Sequence, residues 1–256
     1  MRADRYCAEK YGSRTKAARA IERGEVLVNG KKVRPADPVG PGDEVSFLPS
    51  AEQYVSNGGY KLSRALQAFS ADVRGKIFAD IGASTGGFTD CLLQNGAAKV
   101  YCVDVGESLL DESLRRDARI VNMENVNARF LKQEDFPERL DGAVIDVSFI
   151  SLALMLPVLR DIVSPQGVVF ALIKPQFECE NKRELSKSGI VTDAKKRRKI
   201  VEKIYDACLA NGLYPIDLVN APLREKKNVE YIILLGKQKS ACADKRAIVD
   251  KSDRLL

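Results

Sequence analysis

The strongest constraint on the fold is an alternation of short apolar runs with helical segments after residue 60. The apolar runs are nearly uninterrupted, which is typical of parallel strands buried on both faces of a sheet. Only a short connection separates the last two runs, so we expect them to pair antiparallel. The pattern predicts an α/β fold with a doubly wound, mostly parallel sheet whose last strand is antiparallel. The predicted strands cover residues 77–81, 100–105, 120–123, 143–147, 168–173, 216–220 and 229–235, and the predicted helices cover residues 62–69, 88–95, 152–163 and 194–211.

The first fifty residues follow a different pattern, which predicts a small separate α+β domain. Apolar or small residues recur at helical spacing over residues 2–11 and 13–23, with Ser13 as an N-cap and Gly24 just after the second helix. The pair Asn29-Gly30 lies between alternating apolar residues, which is the strongest short signal for a hairpin. The expected organisation is a domain at 1–50, a polar linker at 51–59, a second domain at 60–239 and a flexible tail at 240–256.

Composition excludes several kinds of chemistry and location. The chain has 256 residues and no histidine, so Ser-His-Asp and Cys-His catalysis and histidine-bearing zinc sites are excluded. Its six cysteines include no CxxC pair, which indicates reduced thiols. The N-terminus lacks the apolar core of a secretory signal, and charged residues and a proline interrupt the most apolar stretch, residues 142–163. We expect a cytoplasmic protein with no transmembrane segment and no metal site.

The chain carries a modest excess of positive charge. Its 41 basic and 35 acidic residues give a net charge of +6, which permits a polyanionic partner without requiring one. Basic residues of the first fifty positions could share one face and contact RNA phosphates. The alternative is an ordinary solvated helix surface, and charge alone favours that alternative. The residues concerned are Arg5, Arg14, Lys16, Arg19, Arg23, Lys31 and Lys32.

A turn of small residues, FADIGASTGGFTD at 78–90, joins a predicted strand to a predicted helix. Such a turn lets the backbone approach a ligand closely. It matches GxSxG, but no histidine is present to activate Ser84 as a hydrolase nucleophile. It also approaches GxGxxG, but Ser84 replaces the glycine that lets the backbone reach a pyrophosphate, which disfavours a dinucleotide. Asp104 ends the next strand, where a carboxylate can accept hydrogen bonds from a ribose.

The turn and Asp104 together suit a nucleoside cofactor without a pyrophosphate, and S-adenosylmethionine is such a cofactor. The alternative is a glycine turn beside a surface aspartate, because turn motifs of this kind are loose.

Three charged residues lie at the ends of predicted strands. Asp146 and Lys174 end two parallel strands, and Glu230 begins the run EYIILL of the last strand. Desolvation at the end of an apolar strand favours the neutral form of a lysine, which can act as a general base. The alternative is a structural ion pair between Lys174 and Asp146, and the residues alone leave both interpretations open.

Six motifs in a fixed order give the chain a family resemblance. They are YVSNGGYKL, DIGASTGGFTD, VDVG, IDVSFISL, LIKPQFE and NVEYIILL. In this order the chain resembles the hemolysin A or TlyA-type ribosomal RNA 2′-O-methyltransferases, which belong with the FtsJ-like enzymes. The run SRTKAARAIERGEVLVNGKKV resembles the small RNA-binding module shared by ribosomal protein S4 and pseudouridine synthases. Together these resemblances extend over residues 1–237.

The resemblance implies a methyltransferase sheet, S-adenosylmethionine as cofactor and ribosomal RNA or a ribosomal subunit as partner. The implied catalytic residues are Lys61, Asp146, Lys174 and Glu230, and the implied cofactor-binding residues are Asp80, Gly82, Ser84, Thr85, Gly86, Gly87 and Phe88 in the turn, Asp104 at the ribose, and Glu124 and Asn125 near the adenine. Residues Arg5, Arg14, Lys16, Arg19 and Lys32 would bind RNA. The segment REKKN at 224–228 departs from the family, which has a glycine-containing segment before the glutamate.

The resulting expectation is an S-adenosylmethionine-dependent enzyme that methylates the ribose 2′-oxygen of ribosomal RNA, with Lys174 taking the hydroxyl proton. One alternative is a non-catalytic RNA-binding or ribosome-assembly factor, and the intact set of four charged residues argues against it. Another is a membrane-active cytolysin, which would need an apolar or amphipathic segment that the sequence does not contain.

Overall fold

A computed structural model describes residues 1–48, 53–179, 185–186 and 188–254 of the chain. The chain divides into two compact units, Met1–Gln53 and Tyr54–Leu256. Residues 51–52 of the expected linker lie outside the described residues.

The N-terminal unit packs three short helices against a small antiparallel sheet. The helices are α1 (Ala3–Tyr6), α2 (Ala8–Tyr11) and α3 (Arg14–Glu22), and the strands β1 (Val26–Val28), β2 (Lys31–Lys32) and β3 (Val45–Phe47) lie in the order β2-β1-β3.

Local residue chemistry accounts for most of this unit. Ser13 caps α3 by accepting a hydrogen bond of 3.1 Å from the N–H of Lys16. Asn29 and Gly30 adopt left-handed backbone angles in the turn of the predicted hairpin, with φ of 52° and 73°. The helix expected over residues 2–11 is two helices, because the backbone breaks at Cys7.

The larger unit contains a seven-stranded sheet. Its strands are β4 (Ile77–Ile81), β5 (Lys99–Val103), β6 (Ile120–Met123), β7 (Leu140–Ile145), β8 (Val163–Ile173), β9 (Tyr214–Asn220) and β10 (Tyr231–Gly236). The helices of this unit are α4 (Asn57–Ala68), α5 (Gly87–Gln94), α6 (Glu112–Arg115), α7 (Leu156–Ile162), α8 (Pro175–Glu178), α9 (Ala194–Ala210) and α10 (Lys245–Lys251).

The strands lie in the order β6-β5-β4-β7-β8-β10-β9. Strands β4 to β8 pair in parallel, and β10 lies antiparallel between β8 and β9. The predicted class of fold, a mostly parallel sheet with an antiparallel last strand, is confirmed.

Apolar side chains cover both faces of this sheet. Along β4, Phe78 packs in one core cluster with Phe170, whereas Ala79 and Ile81 pack in the other cluster with Ile145. The alternation follows from the period of two residues along a strand. Because both faces of the sheet are covered, a ligand can reach it only at its edges. In folds of this class the ligand site lies at the carboxyl ends of the parallel strands.

The structure differs from the sequence-based expectation at the linker and the tail. Helix α4 begins at Asn57, so the last three residues assigned to the linker are helical. The tail is not a uniformly flexible segment, because α10 buries Ile248 and Val249 to 1% exposure each. Asp244 caps this helix by accepting hydrogen bonds from the backbone N–H groups of Arg246 and Ala247. The sequence did not predict this helix, because Ile248 and Val249 are two adjacent apolar residues in a mostly polar stretch.

The described part of the chain contains no helix with the length and apolar content needed to cross a bilayer. None of the six cysteines forms a disulfide in the structure.

Candidate active site

The four charged residues assigned by resemblance lie together at one edge of the large sheet. Asp146 follows β7, Lys174 follows its parallel neighbour β8, and Glu230 precedes β10, whose antiparallel direction brings its start to the same edge. Lys61 is supplied by α4. Sheet topology therefore gathers residues that are up to 169 positions apart in the sequence.

Direct contacts connect the four side chains in a row. Lys61 Nζ lies 2.7 Å from Glu230 Oε2 and 3.4 Å from Asp146 Oδ2. Lys174 Nζ forms an ion pair with Asp146 and donates a hydrogen bond of 2.8 Å to Ser148 Oγ. The side chains are between 10% and 19% exposed, so little water screens these charges.

The two lysines are in unequal surroundings. Burial lowers the pKa of Lys61, but the charges and hydrogen bonds of Asp146 and Glu230 outweigh burial and raise that pKa above its usual value. Lys61 therefore stays protonated across the neutral range. Lys174 contacts one of these carboxylates and the hydroxyl of Ser148, and its Nζ lies 5.8 Å from the centre of the Phe177 ring.

The glycine-rich turn after β4 follows the path predicted for a ligand-binding loop. Gly82 has a φ of +80°, and a Cβ at this position would come within 2.9 Å of the carbonyl oxygen of Asp146. Ser84 also has a positive φ, 49°, and its backbone N–H donates a hydrogen bond of 2.8 Å to Asp104 Oδ2. The other oxygen of Asp104 accepts from the N–H of Gly106. Asp104 thus fixes the loop that would surround the cofactor.

Asp80 is buried beneath the same turn, with 1% of its surface exposed. Its Oδ2 accepts hydrogen bonds from Thr89 N and Thr89 Oγ1, at 3.0 and 2.7 Å. Burial raises the pKa of Asp80 to about 7, although these hydrogen bonds oppose the shift. Its second oxygen, Oδ1, is buried and has no hydrogen-bond partner among the described residues.

Two cavities lie on the glycine-turn side of the four charged residues. One has a volume of 460 Å³ and is lined by Gly82, Ser84, Asp104 and the apolar residues Val105 and Leu109, among others. A smaller one of 190 Å³ is lined by Asp80 and most of the turn, including Thr85, Gly87 and Phe88. Asp146 and Ser148 line both cavities. A third cavity, of 440 Å³, is lined by Lys61 and Glu230, so the charged residues lie between two sets of cavities.

The two residues predicted to lie near the adenine, Glu124 and Asn125, do not line these three cavities. Glu124 accepts hydrogen bonds from Asn122 and Arg115, and Asn125 has a left-handed φ of 58°. Neither is among the residues lining the cavities, whereas the next residues, 126–129, line the 460 Å³ cavity. Gly86 is the turn residue that packs against Leu114. A Cβ at this position would lie 2.4 Å from the side chain of Leu114, so the contact requires glycine.

Three residues of the loops that carry Asp146 and Lys174 were not predicted from the sequence: Ser148, Phe149 and Glu178. Phe149 is 91% exposed and has a φ of 65°, which is uncommon for a residue other than glycine. It contacts the ring of Phe177 with a centroid distance of 5.2 Å and lines the 460 Å³ cavity. The signal that could have identified them is the pair of motifs IDVSFISL and LIKPQFE, in which all three lie.

The predicted RNA-binding residues belong to the N-terminal unit and are exposed there. They are Arg5, Arg14, Lys16, Arg19 and Lys32. Arg14 Nε lies 3.0 Å from Asp4 Oδ2, and Arg2 lies 2.8 Å from the same oxygen. The hydrogen bond from Arg2 holds the pKa of Asp4 well below its usual range. Arg14 is therefore partly neutralised, and RNA binding by these residues stays a prediction.

Comparison with known proteins gives a consistent set of similarities. Residues 54–237 match the FtsJ-like methyltransferase family, and residues 1–45 match the S4 domain. Hemolysin A of Brachyspira hyodysenteriae is 39% identical over 237 residues, which cover 91% of this chain and 98% of that protein. The 16S/23S rRNA (cytidine-2'-O)-methyltransferase TlyA of Mycobacterium tuberculosis is 37% identical over 247 residues, covering 95% and 92%.

A solved hemolysin-family structure from Streptococcus thermophilus has the same architecture over nearly all of the chain. Its TM-score is 0.76 at 35% sequence identity, and the match covers 99% of this chain and 96% of that one. Family, relatives and structure all agree with the order of motifs in the sequence. The chain therefore belongs to the FtsJ-like methyltransferase family, in the group that contains TlyA and hemolysin A, and it carries an S4 domain at its N-terminus.

Proposed function

We propose that the protein transfers a methyl group from S-adenosylmethionine to a ribose 2′-hydroxyl of ribosomal RNA. The observation that carries the proposal is the row Glu230, Lys61, Asp146 and Lys174, which lies between the cavities of the glycine turn and the 440 Å³ cavity. A transfer between two bound molecules requires this arrangement, because donor and acceptor must meet at one set of side chains.

The residues of the glycine-turn side fit S-adenosylmethionine. A cavity of 460 Å³ is within the range of about 300–1,000 Å³ usual for small ligands. Its apolar wall suits an adenine, and Asp104 would accept hydrogen bonds from the ribose. The free Oδ1 of buried Asp80, beside the smaller cavity, is suited to accept from an ammonium group, which the methionine part of this cofactor carries. When bound, S-adenosylmethionine would supply an electrophilic methyl group on a sulfonium sulfur.

Lys174 is the group that would take the proton from the ribose hydroxyl. Its Nζ is held by Asp146 and Ser148, so its position is fixed before substrate arrives. The ribose oxygen would form its new bond to the methyl carbon as the bond from that carbon to the sulfonium sulfur breaks. The hydroxyl proton would move to Nζ, and S-adenosylhomocysteine would leave with the electron pair of the broken bond. Lys61 stays protonated in its contacts with Asp146 and Glu230, so it cannot itself accept this proton.

Two further residues would orient the acceptor nucleotide. Glu230 fixes Lys61 from the side of the 440 Å³ cavity and can accept a hydrogen bond from a nucleotide there. Phe149 presents an exposed ring at the edge of the cofactor cavity, and exposed aromatic rings stack on unpaired RNA bases.

The relatives support ribosomal RNA as the substrate class, since TlyA of M. tuberculosis is named for cytidine 2'-O-methylation of 16S and 23S rRNA. The S4 domain of this chain would add affinity for RNA. An enzyme acting on ribosomal RNA or a ribosomal subunit works where ribosomes assemble, and we assign it to the cytoplasm. A non-catalytic assembly factor would need neither the four charged residues nor the cofactor cavity.

The deciding experiment maps 2′-O-methyl groups on ribosomal RNA from cells with this protein, without it, and with its Lys174→Ala variant. We expect at least one ribose methyl group that is present only with the unaltered protein. A methyl group found on a base, or full modification with Lys174→Ala, would refute the mechanism. Identical maps in the presence and absence of the protein would refute the function.

A further inference from the structure

The 440 Å³ cavity has a lining that catalysis does not require. Besides Lys61 and Glu230 it is lined by Arg224, Lys226 and Lys227, which come from the exposed loop before β10. This loop contains the segment REKKN, residues 224–228, which has three basic residues.

The charge of this cavity is strongly positive. Four of its lining residues are basic and one is acidic, and the acidic one, Glu230, is paired with Lys61. No described residue places a carboxylate within 4.0 Å of Arg224, Lys226 or Lys227. Glu225, the acidic residue of the loop, is not among the lining residues. Three cations beside the catalytic residues thus remain without a neutralising partner in the described chain.

The loop is held in place by its ends. Asn228 donates a hydrogen bond of 3.0 Å to the carbonyl of Gly189 and accepts one of 2.8 Å from the N–H of Val191. The N–H of Ala221 donates to the carbonyl of Glu230, which closes the base of the loop. These bonds keep the cationic segment next to Glu230.

Lys226 has a left-handed φ of 56°. A residue with a Cβ is strained in this region, and glycine would adopt it without cost. The loop therefore places a lysine where glycine would be unstrained. Backbone strain of this kind is common at functional sites.

Gln176 also lines the cavity and supplies an uncharged hydrogen-bond acceptor. The amide oxygen of Gln176 is buried and has no hydrogen-bond partner among the described residues. Gln176 lines this cavity together with Lys61 and Glu230. A free amide oxygen can accept a hydrogen bond from a ribose hydroxyl.

We propose that this cavity is a subsite for the RNA strand on either side of the target ribose, in which Arg224, Lys226 and Lys227 bind its phosphodiester groups. The inference rests on the proposed function, because the anion is inferred to be an RNA phosphate from the proposal that the methyl acceptor is a ribose of RNA. A ribose in RNA always has a phosphate on each side, and phosphate contacts set the position of a strand without reading its sequence. The subsite would thus position the target 2′-oxygen.

The test uses the full chain with the substitutions Lys226→Gly and Lys227→Gln. Lys226→Gly removes a charge and relieves the strained backbone, so we expect an unchanged or higher melting temperature. The matched control, Lys76→Gln with Lys239→Gln, removes two charges at the opposite edge of the sheet, before β4 and after β10. Substrates are ribosomal subunits from cells lacking the protein, with labelled S-adenosylmethionine.

We expect the loop variant to raise KM for the subunits by tenfold or more and to leave the cofactor affinity unchanged. The slope of log affinity against log salt should fall by roughly 1.5 in magnitude, since each lost phosphate contact removes about 0.7–0.9. The control should retain the KM and slope of the parent. A loop variant with the parent's KM and slope, or a control that loses as much, would overturn the subsite.

The proposed function can fail separately. If the parent transfers no methyl group to any subunit, the subsite is measured by direct binding of ribosomal RNA without S-adenosylmethionine. Weaker binding by the loop variant and not by the control then supports a phosphate subsite in a protein with another function. Equal binding by all three proteins refutes the subsite as well.

Discussion

Glu178 connects the loop after Lys174 to the loop after Asp146, because its Oε1 accepts a hydrogen bond of 2.7 Å from the backbone N–H of Leu152. Its second oxygen accepts from Ser151 Oγ at 2.6 Å. Glu178 ends the short helix that follows Lys174, and residues 151–152 belong to the segment that follows Asp146. The carboxylate is 4% exposed, and burial raises its pKa above the usual value. Glu178 is a positioning residue for the ion pair between Lys174 and Asp146.

Glu178→Gln should therefore impair transfer more than binding. The amide oxygen can still accept from Leu152 N–H, but the NH2 group has to donate to Ser151 Oγ, so the hydroxyl can no longer donate to a carboxylate oxygen. We expect a loss of unfolding free energy of about 1 kcal/mol, because a hydrogen bond to a charged group contributes more than one between neutral groups. We also expect a lower kcat with little change in the affinity for S-adenosylmethionine, measured by calorimetry. Glu178→Asp, which keeps the charge, should recover part of kcat, and equal kcat for the parent and both variants would contradict a positioning role.

Substitution of Lys174 separates proton removal from binding. Lys174→Ala should abolish turnover and leave the affinity for S-adenosylmethionine nearly intact, because the side chain acts on the acceptor hydroxyl. Lys174→Arg should also be inactive, since a guanidinium stays protonated at all working pH values. Single-turnover measurements of methyl transfer by the parent and both variants check this expectation. Transfer by Lys174→Ala at the parent's rate would contradict the lysine base.

Asp104 provides the test of the cofactor. Its two oxygens hold the N–H groups of Ser84 and Gly106, and it lines the 460 Å³ cavity. Asp104→Ala should weaken the binding of S-adenosylmethionine strongly in calorimetry, while circular dichroism should show an intact fold. Asp141→Ala, in a carboxylate that accepts from Ile77 N at the opposite edge of the sheet, is a suitable control. Binding of NADH in place of S-adenosylmethionine would refute the cofactor assignment.

The N-terminal unit offers a test of RNA binding by its exposed basic residues. Arg5→Gln with Arg19→Gln should lower the affinity for ribosomal subunits and reduce the salt slope by roughly 1.5, if each arginine contacts one phosphate. Lys76→Gln with Lys239→Gln is again the control for charge. A slope equal to that of the parent would show that these arginines are ordinary solvated residues, as their charge alone suggested.

The strands and the placement of three of the four charged residues were predictable because each depends on a local signal. Asp146, Lys174 and Glu230 lie at the ends of apolar runs, and parallel topology brings such ends together. Lys61 lies inside a helix with no such signal and was assigned only by resemblance. The cavity beside it is formed by loops 188–190 and 221–230, whose proximity depends on the long-range hydrogen bonds of Asn228. Short-range patterns contain no information on such contacts.

Asp80 makes the stability of the protein depend on pH, because its carboxyl group has different pKa values in the folded and unfolded states. Its pKa is raised to about 7 in the folded protein from an ordinary value of 3.8. The folded state therefore binds this proton more tightly than the unfolded state, so the contribution of Asp80 to stability falls as the pH rises from 4 to 7 and stays low above that range. Asp80→Asn keeps an oxygen for the N–H and hydroxyl of Thr89 and cannot ionise.

We expect the unfolding free energy of Asp80→Asn, relative to the parent, to increase between pH 5 and pH 8. One unit of pKa corresponds to about 1.4 kcal/mol, so the relative gain is bounded by roughly 4 kcal/mol. Urea titrations of both proteins across this range measure it. The same variant should bind S-adenosylmethionine more weakly, because a neutral amide attracts an ammonium group less than a carboxylate does. A difference in unfolding free energy that is independent of pH would show that Asp80 is ionised throughout, and its burial would then need another compensating charge.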